Sequence, residues 1–377
     1  MTGRVGIIGG YGAVGAVVAE RLSAWGVSAL RLGGRRPEQA DAMRQQLSAD
    51  VEAVAVDVAN PAAVRRFCAG CDVVVNCAGP SYRILDTVAR AAVAEDAHYV
   101  DAGGDDPVYE RLADLAADPG TARLVLSAGM APGLTGLFPR WLAGQGFAEV
   151  RKLTAYVAAR DRFTEAAAGD YLMSLSNGYG APMAAWRAGT VAARALEPRN
   201  DVELPYFAGR MNAYPFLSTE TERTAVALGL SEVDWYNVFD ADGQMLSAMA
   251  RVSARFQQDG DLAPAVAELV RTAHLDLFGR GPQQQLVLRM DGLRDGEPVS
   301  RVALLKAGGT YRLTGVLSAV AVRAILHGEV SPGVWFAADA LSPDAVVAEL
   351  RGEAGVSVLE VFDEVSEEDE SLEEGVL

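Results

Sequence analysis

Val5-Gly6-Ile7-Ile8-Gly9-Gly10-Tyr11-Gly12-Ala13-Val14-Gly15 is a short apolar strand running into a glycine turn. A helix follows, with Val14, Val18, Leu22 and Trp25 on one stripe at helical spacing. The turn fits two glycine registers, Gly10-x-Gly12-x-x-Gly15 and Gly9-x-x-Gly12-x-x-Gly15. Both are dinucleotide fingerprints, and the physics is common to them. Glycines reach backbone angles closed to other residues and let the chain approach a pyrophosphate closely. The helix N-terminus then offers free N–H groups and partial positive charge to the phosphates. A glycine triplet alone says little; one placed between a strand and a helix predicts a dinucleotide site. Gly9, Gly10, Tyr11, Gly12, Ala13, Val14 and Gly15 are therefore expected to hold the cofactor.

The next strand, near Ala29 to Leu32, ends Gly33-Gly34-Arg35-Arg36. NAD-binding chains usually carry Asp or Glu here for the ribose hydroxyl, whereas Arg accommodates a phosphate on that position. Arg35 and Arg36 thus point to NADP(H). A third strand over Val51 to Val58 ends at Asp57-Val58, placed to meet the adenine. A fourth ends Asn76-Cys77-Ala78-Gly79-Pro80, with Cys77, Ala78, Gly79 and Pro80 expected under the nicotinamide half. A helix over Ile84 to Ala94 and strands over His98 to Asp101 and Arg123 to Ser127 continue the alternation. Strands alternating with helices predict an α/β fold with a doubly wound parallel sheet, a Rossmann architecture, whose ligands lie at the carboxyl ends of the strands.

Beyond Gly133 the character changes to longer strands, Val150 to Ala158, Leu286 to Asp291 and Val299 to Ala307. Helices over Ala166 to Leu175 and Pro264 to Leu277 intervene. The expected division is a Rossmann domain over 1–130 plus about 314–355, and an α+β substrate and dimerisation domain over 131–313. The run 363–377 holds eight acidic and no basic residues and reads as a disordered tail.

Of the chain's 377 residues half are hydrophobic, which suits a packed globule rather than a disordered chain. The net charge of −17 argues against nucleic acid and anionic membrane as partners. No apolar stretch is long enough to span a bilayer, no signal-peptide layout is present, and a cytoplasmic location is expected. Cys68 and Cys71 form a lone C-x-x-C without a second pair or a His pair to complete a site, and the three His are far apart, so no metal is expected.

The glycine turn, Asn76-Cys77-Ala78-Gly79-Pro80-Ser81-Tyr82, His98-Tyr99-Val100-Asp101, Gly129-Met130-Ala131-Pro132-Gly133-Leu134-Thr135 and Gly333-Val334 together resemble the saccharopine dehydrogenase-like reductases. The resemblance covers most of 1–140 and the segment near 314–350. It departs at Ala131, where relatives commonly carry an acidic residue. It implies a two-domain subunit, usually a homodimer, and hydride transfer to C=N bonds of a small-molecule substrate. Asp170-Tyr171-Leu172 and Asn212-Ala213-Tyr214-Pro215-Phe216-Leu217 resemble one branch, the thiazolinyl imine reductases of pyochelin-type siderophore biosynthesis. Those reduce a thiazoline ring presented on a carrier protein. Reductive amination of the saccharopine or carboxynorspermidine type, a trans-acting enoyl reductase and a non-catalytic NADP-binding sensor are the alternatives.

Imine reduction needs a proton at nitrogen as carbon receives hydride, so a general acid is sought within hydrogen-bond reach. Tyr82, His98, Asp101 and Tyr171 are the candidates. Asp105 is weighed as well, although helix capping competes for it, as are Lys306 from the second domain and a solvent-derived proton with no dedicated acid.

Overall fold

The structure, a computed structural model, describes residues 3–364. Six N-terminal strands form in order: β1 Arg4–Ile8, β2 Ala29–Gly34, β3 Asp50–Ala55, β4 Val73–Asn76, β5 His98–Asp101 and β6 Arg123–Leu126. They are short, and except for the half-exposed edge strand β3 their centres are buried under flanking helices, as apolar runs such as Val73-Val74-Val75 require. A seventh strand, Gly333–Phe336, returns from far along the chain and pairs in parallel with β6. The sheet order is Gly333–Phe336, β6, β5, β4, β1, β2, β3, with every pairing parallel. The chain runs outward from β1 to β3, then crosses back to place β4 on the other side of β1. The order therefore reverses between β1 and β4, which opens a crevice at their carboxyl ends.

Two boundaries differ from the sequence reading. The third strand stops at Ala55, and Asp57-Val58 fall in the turn that follows, where the Asp57 side chain accepts the Ala59 N–H. The helix expected over 84–94 is broken into Ser81–Ile84 and Thr87–Val93 by Leu85, whose φ of 50° is incompatible with a continuous helix.

The second sheet is mixed. Its long central strand Glu149–Arg160 pairs in parallel with Glu232–Asp240 on one side and antiparallel with Gln283–Arg294 on the other. Glu297–Ala307 and then Val356–Asp363 extend it. The last strand corrects the expected start of the acidic tail: Asp363 ends the strand and pairs with Arg301 at 2.7 Å. The remainder of that tail, 365–377, lies outside the described residues. Two helices not read from the sequence, Thr219–Leu228 and Met245–Asp259, complete the layer beside this sheet. Their apolar stripes are narrow and interrupted by Arg and Glu, which hid the period.

The helix Thr310–Leu326 is buried along most of its length and crosses the helix Gly15–Ala24. Gly315 makes the crossing close, since a Cβ there would lie 2.5 Å from that of Val17. Glu353, which is almost fully buried, ties the returning segment to both helices through Arg21 and Arg312. Exposed pairs contribute about 1 kcal/mol or less, and removing one partner of a buried pair costs about 3–5 kcal/mol. With one Arg half-exposed, Glu353→Ala is expected to lower unfolding stability by about 2 kcal/mol. Urea denaturation checks this through the midpoint at unchanged slope. Among the described residues no helix is long and apolar enough to cross a membrane.

Candidate active site

A cavity of about 830 Å³ opens at the crevice between β1 and β4 and extends to the second sheet. Gly12, Ala13, Val14, Cys77, Ala78 and Gly79 line one end of it. Gly9 has φ 75°, and a Cβ there would lie 2.8 Å from the Cys77 carbonyl oxygen. A Cβ on Gly15 would lie 2.2 Å from the Gly9 carbonyl oxygen, so only glycine lets the helix seat against the turn. The helix Gly15–Ala24 begins without a side-chain cap and without an acidic residue in its first turn. Its positive end is therefore left for an anion.

The end of β2 is shaped by Tyr11. Its ring covers Gly34, where a Cβ would meet the hydroxyl at 2.2 Å, and its hydroxyl accepts the Arg36 N–H at 2.9 Å. Arg36 lies 3.2 Å from the Gln39 amide. Arg35 is exposed, and its guanidinium has no partner among the described residues. The uncapped helix start, the glycine cradle and a free guanidinium beside β2 fit a dinucleotide bearing a ribose phosphate. Gly9, Gly10, Gly12 and Gly15 would admit the pyrophosphate, and Arg35 the additional phosphate. Pro80 lies beneath the same end, against Gly169 of the helix Glu165–Ser174, while Asp57 and Val58 stand at the neighbouring carboxyl end of β3. Charge-assisted contacts contribute about 1.5–3 kcal/mol each. Arg35→Asp is therefore expected to reduce preference for NADPH over NADH by about tenfold to a hundredfold, read from paired binding titrations.

The four catalytic candidates are placed very differently. Tyr82 lines the cavity, and its hydroxyl donates to Asp105 Oδ2 at 3.3 Å. Tyr171, on the helix Glu165–Ser174, also lines it, with its hydroxyl 3.1 Å from that of Ser253. Asp101 does not reach the cavity. It is fully buried and accepts from the Gly103 and Gly104 N–H groups at 2.9 and 2.8 Å and from the Tyr99 hydroxyl at 2.5 Å. It holds the turn after β5. His98 lies at the opposite end of the sheet: it pairs with Val73 at the start of β4, whereas Asn76 at the other end of that strand reaches the cavity. Its ring faces Arg123, and burial followed by that guanidinium lowers its pKa.

Three groups beyond those four complete the site. Asp105 is buried; burial raises its carboxyl to about 7, against the opposing pull of the Asp106 N–H and of Arg223. Asp170, from the same helix as Tyr171, accepts the Tyr82 N–H at 3.3 Å, and its other oxygen faces Gly79. Burial raises it to about 7 as well. Tyr179 walls the cavity beside Phe216, with ring centroids 6.1 Å apart. Asp105 is legible from its strand-end position, though its burial is not. Asp170 is visible in the sequence only as part of the Asp170-Tyr171-Leu172 resemblance, and Tyr179 carries no local signal, because only the packing of the second domain brings them to Tyr82. At the cavity's edge Ala131 follows Met130 into the turn before the helix Leu134–Ala143. A buried carboxylate does meet that helix N-terminus, but it is Glu220, which accepts the Gly133 N–H at 2.6 Å and the Thr135 hydroxyl.

Cys68 and Cys71 are buried away from the cavity, and burial pushes the Cys68 thiol up to about 12. Among the described residues no group of three or more His, Cys, Asp or Glu is placed to hold a metal ion.

Residues 5–122 match the saccharopine dehydrogenase NADP binding domain. Among solved structures, apo saccharopine dehydrogenase (L-Glu forming) from Saccharomyces cerevisiae is similar over 96% of this chain and 100% of its own, at 14% identity and a TM-score of 0.67. A probable dehydrogenase from Thermotoga maritima aligns over 99% of this chain and 97% of its own, at 12% identity and a TM-score of 0.45. A comparison with curated protein sequences returns no match. The chain thus shares the fold of that saccharopine dehydrogenase, and its residues 5–122 form an NADP(H)-binding domain of the matched type.

Proposed function

We propose that this protein is an NADPH-dependent reductase of C=N bonds. The observation that carries the reading is the Tyr82–Asp105 pair with Asp170 beside it, in a cavity continuous with the glycine turn. Bound NADPH supplies a hydride, leaving as NADP⁺, and the imine carbon gains it. The imine nitrogen must gain a proton to complete the amine. A carboxyl held near 7 is protonated in a useful fraction at neutral pH and can donate it. Tyr82 orients that carboxyl from one side, and the Asp106 N–H holds its other oxygen. The second carboxyl, Asp170, favours a cationic iminium over a neutral acceptor.

Asp170 speaks against an enoyl thioester. Reduction of that acceptor builds negative charge on a carbonyl oxygen, and an ionised carboxylate beside it would oppose it. Within imine reduction, the motif resemblance suggests a thiazoline ring delivered by a carrier protein, in siderophore or related biosynthesis. The resemblance also suggests a homodimer, which the partly buried aromatic residues Tyr206 and Phe362 beside the second sheet would suit. The test follows loss of the nicotinamide absorbance with NADPH, with NADH as control, against a cyclic imine, a free thiazoline acid, a 2-oxo acid with an amine, and an enoyl thioester. Oxidation with C=N acceptors alone supports the proposal. Oxidation with the enoyl thioester alone would overturn it.

A further inference from the structure

Resting on that reading, we infer that the substrate is a bulky aryl or otherwise apolar imine with no free carboxylate on the reacting carbon. Two independent features of the cavity lead there. The first is its walls. Nine aromatic side chains line it, and several are arranged in pairs: Phe163 with Tyr171 on one side and Tyr179 with Phe216 on another, with Trp235 contributed by the strand Glu232–Asp240. Met245 and Met249 add a deformable apolar surface from the helix Met245–Asp259. Such walls bind a large flat apolar group, and a small polar oxo acid would leave them wet.

The second feature is the charge distribution. Five Asp and two Arg line the cavity. All five accept hydrogen bonds from the protein, and Asp240 is also ion-paired. Asp240 pairs with Arg160 at 2.7 Å, Asp161 accepts the Thr310 N–H at 2.7 Å, and Asp276 accepts the N–H groups of Gln244 and Met245. Asp105 and Asp170, which accept the Asp106 and Tyr82 N–H groups, lie at the Tyr82 end where the chemistry is placed. Arg223, whose charge acts on Asp105, is itself ion-paired. Arg160 is held by Asp240 and Gln283, and Arg223 is paired with Asp106 outside the cavity wall. Arg162 is the unpaired guanidinium among the described residues of the lining, and it is exposed. A carboxylate on the reacting carbon would sit beside Asp105 and Asp170, with Arg223 already committed to Asp106 and Asp105, whereas an iminium or ammonium group would be held there.

A matched pair of cyclic imines tests this: a pyrroline with phenyl on the imine carbon, and the same ring with carboxylate on that carbon. With NADPH and the full-length protein, kcat/KM for the phenyl compound is expected to exceed that for the carboxylate on the order of a hundredfold. In parallel, the saturated phenyl amine is titrated into the NADP⁺-loaded protein and followed by tryptophan fluorescence. A preference for the carboxylate imine would overturn the inference while leaving the reductase reading intact. Failure of the phenyl amine to bind at millimolar concentration would also overturn it. Tight binding of the amine without reduction of either imine would uphold the substrate class and refute the reductase reading.

Discussion

Asp105→Asn is expected to lower kcat for imine reduction by about a hundredfold or more, the range that loss of a positioned general acid produces. Asn keeps the size and the hydrogen bond from the Asp106 N–H but has no proton to give. The wild-type rate should fall as pH rises through about 7, because burial holds the carboxyl near that value. The variant should lose this limb of the profile. Stability separates the role from a merely structural one, and its sign is fixed. A carboxyl raised by folding contributes stability that is fully present below its unfolded pKa, about 4, and lost as pH rises through about 7. Asn never acquires the buried charge. At pH 8 the variant should therefore melt at or above the wild-type temperature while turning over far more slowly. A lower melting temperature together with a lower kcat would reassign Asp105 to capping the helix Asp106–Arg111.

Gly15→Ala should weaken NADPH binding by at least about a hundredfold, equivalent to losing two phosphate contacts at the helix start. The added methyl would lie 2.2 Å from the Gly9 carbonyl oxygen and 2.8 Å from Gly10 Cα, so the turn must move away from the helix. Gly12→Ala separates cofactor approach from folding. Its Cβ meets only the Gly9 carbonyl oxygen, at 3.1 Å, and the residue lines the cavity. It should fold with unchanged circular dichroism and still bind NADPH more weakly. Wild-type affinity in both variants, by equilibrium titration, would remove the turn from the cofactor site.

These two variants mark the boundary between what the sequence exposes and what it hides. Gly9 to Gly15 act within one turn, so their role is contained in local spacing. The parallel strands are equally legible, because apolar runs between helices leave few arrangements. Asp105 and Asp170 are different. Their raised pKa values come from burial in a cavity assembled from segments 65 residues apart in the chain, and no window of sequence contains that environment. His98 and Asp101 show the converse: they occupy one short strand, yet one sits at the wrong end of the sheet and the other is consumed by its own turn. Strand polarity alone argues against His98, since the ligand end of a parallel strand is its carboxyl end. Glu220 replaces nothing visible at Ala131 in the sequence, because it arrives from a helix 89 residues later.

The central claim is that hydride passes from NADPH to the carbon of a C=N bond in this cavity. The direct measurement is mass spectrometry of the amine formed from the phenyl pyrroline and NADPH carrying deuterium at both positions of the nicotinamide C4. The expected product carries a single deuterium on the former imine carbon, and its formation depends on Asp105. An unlabelled product, or no product from any C=N acceptor when NADPH is bound, would contradict the claim.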